Sequence, residues 1–353
     1  MGIESFVVDL IEEKKKVFFA KNILYALSLF YRMAVFFRNF LYDRCFFKSY
    51  KSSLPVISVG NLVAGGTGKT PFVQKLVEEL SLEIGDVAII TRGYRSKAEH
   101  QFVLASLGGG PLVSSRLCGD EPYWLALYTK ASIWVGKNRI RSLQKAALSR
   151  ARIACLEDGF QHRKVKRDVE IVLLSGPDLF GKGYFLPRGY LRESPQSLSR
   201  ADWIIVTQLE SDFCKEAILQ KVRPFSKAPI IGFSSSYELD FQVVGKKVGA
   251  FCGIAKPSFF YKALGSKGVQ IVKTLTVSDH HCPSLEDLSH FALECQKLGA
   301  EFIICTEKDW VKLDSLTSLV LPIQSLKMKF ECVWNENIWK EMVQSIQTRM
   351  ENL

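Results

Sequence analysis

The chain has 353 residues, more than a single core usually serves, so two domains are expected. Its 47% hydrophobic and 24% charged residues exclude wholesale disorder, and no internal repeat or low-complexity tract interrupts it. A net charge of +11, from 47 basic and 36 acidic residues, points to an anionic partner: a nucleotide, a phospholipid, a phosphorylated substrate or nucleic acid. The nine cysteines are scattered and odd in number, without C-x-x-C or zinc-finger spacing, which fits buried thiols in a reducing cytosol rather than a disulfide framework.

Residues 1–16 run from acidic to basic and contain no apolar h-region, so no secretory signal is expected. Residues 17–47 follow a helical pattern rich in aromatics, among them Phe18, Phe19, Phe30, Phe36 and Phe37. Lys21, Arg32, Arg38 and Arg44 interrupt it too often for a membrane span, which needs about 20 predominantly apolar residues. Such a helix either lies in the bilayer interface with its basic groups at anionic headgroups, or packs its apolar stripe on the core. Both readings stay open from the pattern alone.

The run 55–60 has the composition of a strand, and Val73, Leu76, Val77 and Leu80 carry the helical period. Between them lies Gly65-Gly66-Thr67-Gly68-Lys69-Thr70, which predicts a phosphate-binding P-loop. Glycines let backbone N–H groups turn onto phosphate oxygens, and the helix N-terminus adds its positive dipole end. Lys69 is expected at the β- and γ-phosphates of ATP and the Thr70 hydroxyl at Mg2+. Pro71 is compatible with a helix's first turn. The usual pattern has Gly where this chain has Val63.

Further strands are predicted over 87–90, 133–135, 153–156, 169–174 and 203–207, with helices over 123–130 and 137–149. This alternation predicts a P-loop NTPase-like α/β core around a parallel sheet. Pro224, Pro229 and the serines at 234–236 suggest a linker. A second, smaller α/β domain then follows: strands 248–252, 269–275 and 302–306, helices 258–264 and 285–298. The expected divisions are 1–48 for the amphipathic segment, 49–230 for the core, 231–334 for the smaller domain, and 335–353 for a closing helix.

Ligands of open α/β sheets bind at the carboxyl ends of the strands. Glu157 and Asp158 follow strand 153–156, the position of acids that hold Mg2+ directly or through water. Asp120 precedes a helix, where it either caps or acts as general base toward an attacking hydroxyl. His280, in an exposed-looking loop of the second domain, reaches Asp120 if the domains form a cleft. Gln161 and His162 lie in a polar cluster with Arg163, Arg167 and Asp168. The loop 186–193, with Arg188, Arg192 and Glu193, suits anion recognition by forked guanidinium donors.

In order, Ser58-Val59-Gly60-Asn61-Leu62, the P-loop, Arg92-Gly93-Tyr94, Gly119-Asp120-Glu121-Pro122, Asp158-Gly159-Phe160-Gln161-His162, Leu186-Pro187-Arg188-Gly189, Leu191-Arg192-Glu193, Asp279-His280 and Thr306-Glu307-Lys308-Asp309 resemble the tetraacyldisaccharide 4′-kinases of lipid A biosynthesis. The resemblance covers most of the chain. It implies transfer of the γ-phosphate of ATP to the 4′-hydroxyl of an acylated disaccharide 1-phosphate at the cytoplasmic face of the inner membrane. It implies Asp120 as catalytic base with His280 as its partner, and substrate contacts at Arg92, Tyr94, Gln161, His162, Arg192 and Glu193. The family's paired acids fall on Glu157 and Asp158; Glu157 departs from the usual Asp. Residues 17–47 would supply peripheral membrane docking. The competing classes are a P-loop switch and a nucleic-acid-associated ATPase. Neither is favoured: there is no Asn-Lys-x-Asp, and the aromatics concentrate in the N-terminal helix, so no nucleic-acid partner is expected.

Overall fold

The computed structural model describes residues 3–15, 17–94, 96–210, 213–254, 257–277, 283–310, 312–313 and 319–351. Two helices lead, α1 (Ile3–Ile11) and α2 (Phe18–Asp43). There follow β1 (Val56–Asn61), α3 (Lys69–Glu83), β2 (Val87–Thr91), β3 (Val103–Leu107), α4 (Ser115–Cys118), α5 (Asp120–Tyr128), β4 (Ser132–Val135), α6 (Arg139–Ala146), β5 (Ile153–Glu157), β6 (Val169–Ser175) and β7 (Trp203–Thr207). The remainder comprises α7 (Lys215–Val222), β8 (Ile230–Glu238), β9 (Lys247–Cys252), α8 (Pro257–Ser266), β10 (Gln270–Thr276), α9 (Leu285–Lys297), β11 (Phe302–Thr306), α10 (Glu307–Trp310), β12 (Ile323–Trp334) and α11 (Glu336–Glu351).

The described strands form one twelve-stranded sheet in the order β10-β9-β11-β12-β8-β7-β6-β1-β5-β2-β4-β3. It is parallel except where β3 meets β4 and β12 meets β8. The expected α/β architecture is therefore present. β1, β2 and β5 are buried along their whole length because helices cover both faces, and this is why they read as unbroken apolar runs.

The stretch expected as a linker differs: residues 230–238 are strand β8. Its serines are accommodated because β12 pairs alongside, with Lys329 opposite Ser236 and Glu331 opposite Ser234. β12 itself joins the two halves of the sheet. Ile323 to Leu326 pair with β11 in parallel, and from Lys327 onward the same strand pairs with β8 antiparallel. The half of the sheet around β1 and the half around β9 thus share one strand.

The closing helix α11 completes the core beneath α3. Trp339, Met342, Val343 and Ile346 are buried in one cluster with Phe72, Val73 and Leu76. Phe72 and Phe233 both meet the Trp339 ring edge-on, with centroids 5.9 and 5.2 Å away. Each such fully buried large side chain contributes about 1.5–3 kcal/mol relative to exposure.

Helix α2 packs one face on the protein and leaves the other exposed. Ser28 and Val35 are buried, Tyr31 packs near Phe185, and Asn39 reaches into the protein. On the other side Phe19, Phe30, Phe36 and Phe37 are 75%, 67%, 70% and 61% exposed. No helix among the described residues is long and apolar enough to cross a membrane.

Candidate active site

The loop between β1 and α3 is held from several sides. Thr67 is buried; its Oγ1 accepts from Asn61 Nδ2 at 2.9 Å, and its carbonyl accepts from Thr207 Oγ1 at 2.8 Å. Gln208 Nε2 donates to the Gly66 carbonyl at 3.2 Å, and the Ala64 amide donates to Tyr190 O at 2.7 Å. Gly68, at the N-cap of α3, has φ of 71°, a left-handed conformation that glycine adopts without the Cβ clash. The amides of residues 65–70 donate to no protein acceptor among the described residues. Val63, the departure from the glycine pattern, is buried and bridges to Leu191. The segment around Leu191 thus braces the loop where a glycine would leave it unsupported.

Below the loop opens a cleft of about 890 Å³. Lys69 enters it from the first turn of α3, with Nζ 3.5 Å from Asp158 Oδ1. Asp158 stands just past β5 with φ of 51°, an uncommon backbone that Asp tolerates better than most residues. Arg192 forks onto it, with Nη1 2.9 Å from Oδ1 and Nη2 3.1 Å from Oδ2. Burial alone would raise the Asp158 carboxyl; Lys69 and Arg192 outweigh it and hold this group well below the usual carboxylate range.

Glu157 behaves in the opposite way. It is buried, and its Oε2 accepts from Thr91 Oγ1 at 2.8 Å. Burial first, then the charges of Glu121 and Asp158, push its carboxyl up to about 7. The hydrogen bond to Thr91 orients this carboxyl, and Glu157 lines the cleft beside Asp158. Arg139, nearly fully buried at the start of α6, donates from Nη2 to the Glu157 carbonyl at 3.2 Å.

Asp120 opens α5 on the opposite wall of the cleft. Lys312 Nζ, arriving from beyond α10, lies 4.0 Å from its Oδ2. His280, the partner expected for Asp120, lies outside the described residues. Arg92 and Tyr94 line the cleft mouth; Arg92 is paired with Glu99 at 2.7 Å, and Tyr94 is 63% exposed. Thr70, further along α3, faces an adjoining apolar slot of about 240 Å³ walled by Trp124, Tyr237 and Met328.

Three expected substrate contacts are placed elsewhere. Glu193 is fully buried and accepts from Arg38 Nη2 at 2.8 Å, Asn39 Nδ2 at 3.1 Å and Arg200 Nη2 at 2.7 Å. It ties α2 to the protein body and offers nothing to the cleft. Gln161 donates from Nε2 to the Asn61 carbonyl at 2.7 Å, behind the P-loop rather than in the cleft lining. His162 lines a separate polar cavity of about 470 Å³ at the start of α6. Burial, then the neighbouring Arg139 and Arg167, lower its imidazole to about 4, so it is neutral at physiological pH. Lys312, Arg139 and Thr91 are site residues that no motif marked.

A strand, a glycine loop, a lysine at the helix start and an acid past the neighbouring strand define a P-loop phosphotransferase. The chain matches the tetraacyldisaccharide-1-P 4′-kinase (LpxK) family over residues 20–347, and it belongs to that family. It is 33% identical over 308 residues to the tetraacyldisaccharide 4′-kinase of Chlamydia muridarum, covering 84% of this chain and 82% of that one. It is 37% identical over 301 residues to the enzyme of the same name from Desulfotalea psychrophila, covering 81% and 86%. A crystal structure of "apo" form LpxK from Aquifex aeolicus in complex with ATP is similar, with TM-score 0.76 and 30% identity over 93% of this chain and 99% of that one. The resemblance read from the motifs is borne out, and the chain is an ATP-using kinase that acts on an alcohol group.

Proposed function

We propose that this kinase transfers the γ-phosphate of ATP to the 4′-hydroxyl of an acylated lipid A disaccharide 1-phosphate. The observation that carries the reading is a single cleft shared by Lys69 and Asp120, in a member of this family. The P-loop amides and Lys69 bind the β- and γ-phosphates. Asp120 accepts the proton of the 4′-hydroxyl; the sugar oxygen bonds to the γ-phosphorus as the bond to the β–γ bridging oxygen breaks, and ADP leaves. Lys69, Arg192 and Arg92 spread the charge that develops on the transferred group. Nucleotide binding loosens the Asp158–Lys69 pair, because the phosphates compete for the same ammonium.

Asp158 and Glu157, past β5, and the Thr70 hydroxyl would hold Mg2+, which when bound neutralises phosphate charge. His280 remains assigned as a partner of Asp120 on the strength of the resemblance. Residues 49–230 form the kinase core in this reading and 231–334 the smaller unit that faces it across the cleft. The exposed aromatic face of α2 docks the enzyme peripherally at the cytoplasmic face of the inner membrane, where the acylated acceptor resides. Family membership favours this reading over a P-loop switch or a nucleic-acid-associated ATPase.

The decisive experiment is mass spectrometry of the product formed from ATP and purified acylated disaccharide 1-phosphate in detergent. The reading requires one added phosphate at the 4′ position. ATP hydrolysis without any phosphorylated lipid would refute it.

A further inference from the structure

We propose that Lys312 is a positioning residue for Asp120, fixing the carboxylate that receives the acceptor's proton. The inference rests on the base assignment above and adds a residue to it. Lys312 is not a loosely placed surface lysine: its side chain is 6% exposed. Its Nζ bonds to Asp309 Oδ1 at 2.9 Å. Asp309 is itself 2% exposed, and its other oxygen accepts from Thr306 Oγ1 at 2.6 Å and from the Gly253 amide at 2.9 Å.

Thr306 ends β11 and Gly253 follows β9, so the ammonium is anchored to two strands of the half around β9. From that anchor it reaches Asp120 on α5, in the half around β1, at 4.0 Å from Oδ2. A cation held this rigidly limits the directions open to the Asp120 carboxylate, which lines the cleft. Phosphoryl transfer depends on aligning the hydroxyl with the phosphorus, so the direction of the carboxylate that receives its proton matters. Lys312 also makes a competent Asp120 conditional on the two halves being apposed. A purely structural contact between the halves would place the same atoms together, and the experiment separates the two.

Transfer to the acylated disaccharide 1-phosphate is measured at saturating ATP for the full chain, Lys312→Met, Lys312→Gln, Lys312→Arg, Asp120→Asn and the double variant Asp120→Asn/Lys312→Met. Affinity for a non-hydrolysable ATP analogue and melting temperature are followed in parallel. Lys312→Met and Lys312→Gln are expected to lower kcat by about tenfold or more, with analogue affinity within about threefold. Lys312→Arg, which keeps the charge and also serves if the neutral variants unfold, is expected to recover most of the rate. In the Asp120→Asn background the same Lys312→Met change is expected to cost less than about threefold, because its target is gone. Equal losses in both backgrounds, unchanged kcat in the single variants, or an Arg variant as slow as Met would overturn the proposal. Full activity of Asp120→Asn would instead remove the base assignment, and the proposal with it, and that outcome is read from a different variant.

Discussion

Replacing Glu193 tests whether this carboxylate holds α2 to the enzyme or touches substrate. Its side chain is wholly buried and receives three donors, two of them guanidinium groups, from Arg38 and Arg200. Arg38 is 35% exposed and can turn to water, whereas Arg200 is only 21% exposed and stacks over Phe160 at 4.3 Å. Burial depresses the Arg200 guanidinium, so losing its carboxylate leaves a charge that the site cannot solvate. Breaking one partner of a buried pair costs about 3–5 kcal/mol, and this is the expected loss for Glu193→Ala. Glu193→Gln keeps the shape but turns one acceptor oxygen into an NH2 group that faces a donor, for an expected loss of about 1–3 kcal/mol. The assay is guanidinium unfolding followed by tryptophan fluorescence and circular dichroism, with KM for the acceptor measured on the same samples. A loss below about 1 kcal/mol for Glu193→Ala, with a raised KM in Glu193→Gln, would refute the tie and restore a substrate contact.

Lys69→Ala is expected to reduce phosphotransfer by at least about a thousandfold; near-normal turnover of radiolabelled ATP would discredit the P-loop assignment. Asp120→Asn is expected to slow transfer by about 10²–10⁴ while leaving ATP affinity unchanged, as read by calorimetry with a non-hydrolysable analogue. His162, lowered from its ordinary 6.5 to about 4, is neutral in the folded state and binds its proton more readily when unfolded. Stability from this group is present above pH 6.5 and is lost as pH falls toward 4, by no more than about 3 kcal/mol. His162→Gln should therefore flatten the acid limb of the melting-temperature profile, and an unaltered limb would exclude His162 as its source. Changing Phe30, Phe36 and Phe37 together to Ser removes about 1.5–3 kcal/mol of burial each if they enter a bilayer; unchanged flotation with anionic vesicles would rule out this face as the docking surface.

The parallel strands were legible because both their faces are covered, so residues 56–61, 87–91 and 153–157 need no alternation to be recognised. β12 was not read, although Lys327, Lys329 and Glu331 alternate with Met328, Phe330 and Cys332 at the period of a half-buried strand; its partner, β8, lies far back in the chain. β8 in turn passed for a linker, since its serines have no burial pattern until β12 is beside them. At the site, Lys69, Asp158 and Asp120 follow from motifs at strand and helix ends. Arg192 and Glu193 could not be told apart in the same way: neighbours in an extended segment point to opposite sides, and only the fold decides which one meets the cleft. Lys312 was invisible because its meaning depends on Asp309 locking it and on Asp120 arriving from another half of the sheet.

The seat of α11 beneath α3 and the sharing of β12 bear on how the protein is made. The phosphate grip is among the early segments to leave the ribosome, yet the apolar underside of its helix waits for Trp339, Met342 and Ile346. Until β12 follows, the nascent chain carries β8 as an uncovered edge, open to mispairing with other chains. Removing α11 would therefore uncover the underside of the helix that carries the phosphate grip, not merely shorten a frayed tail.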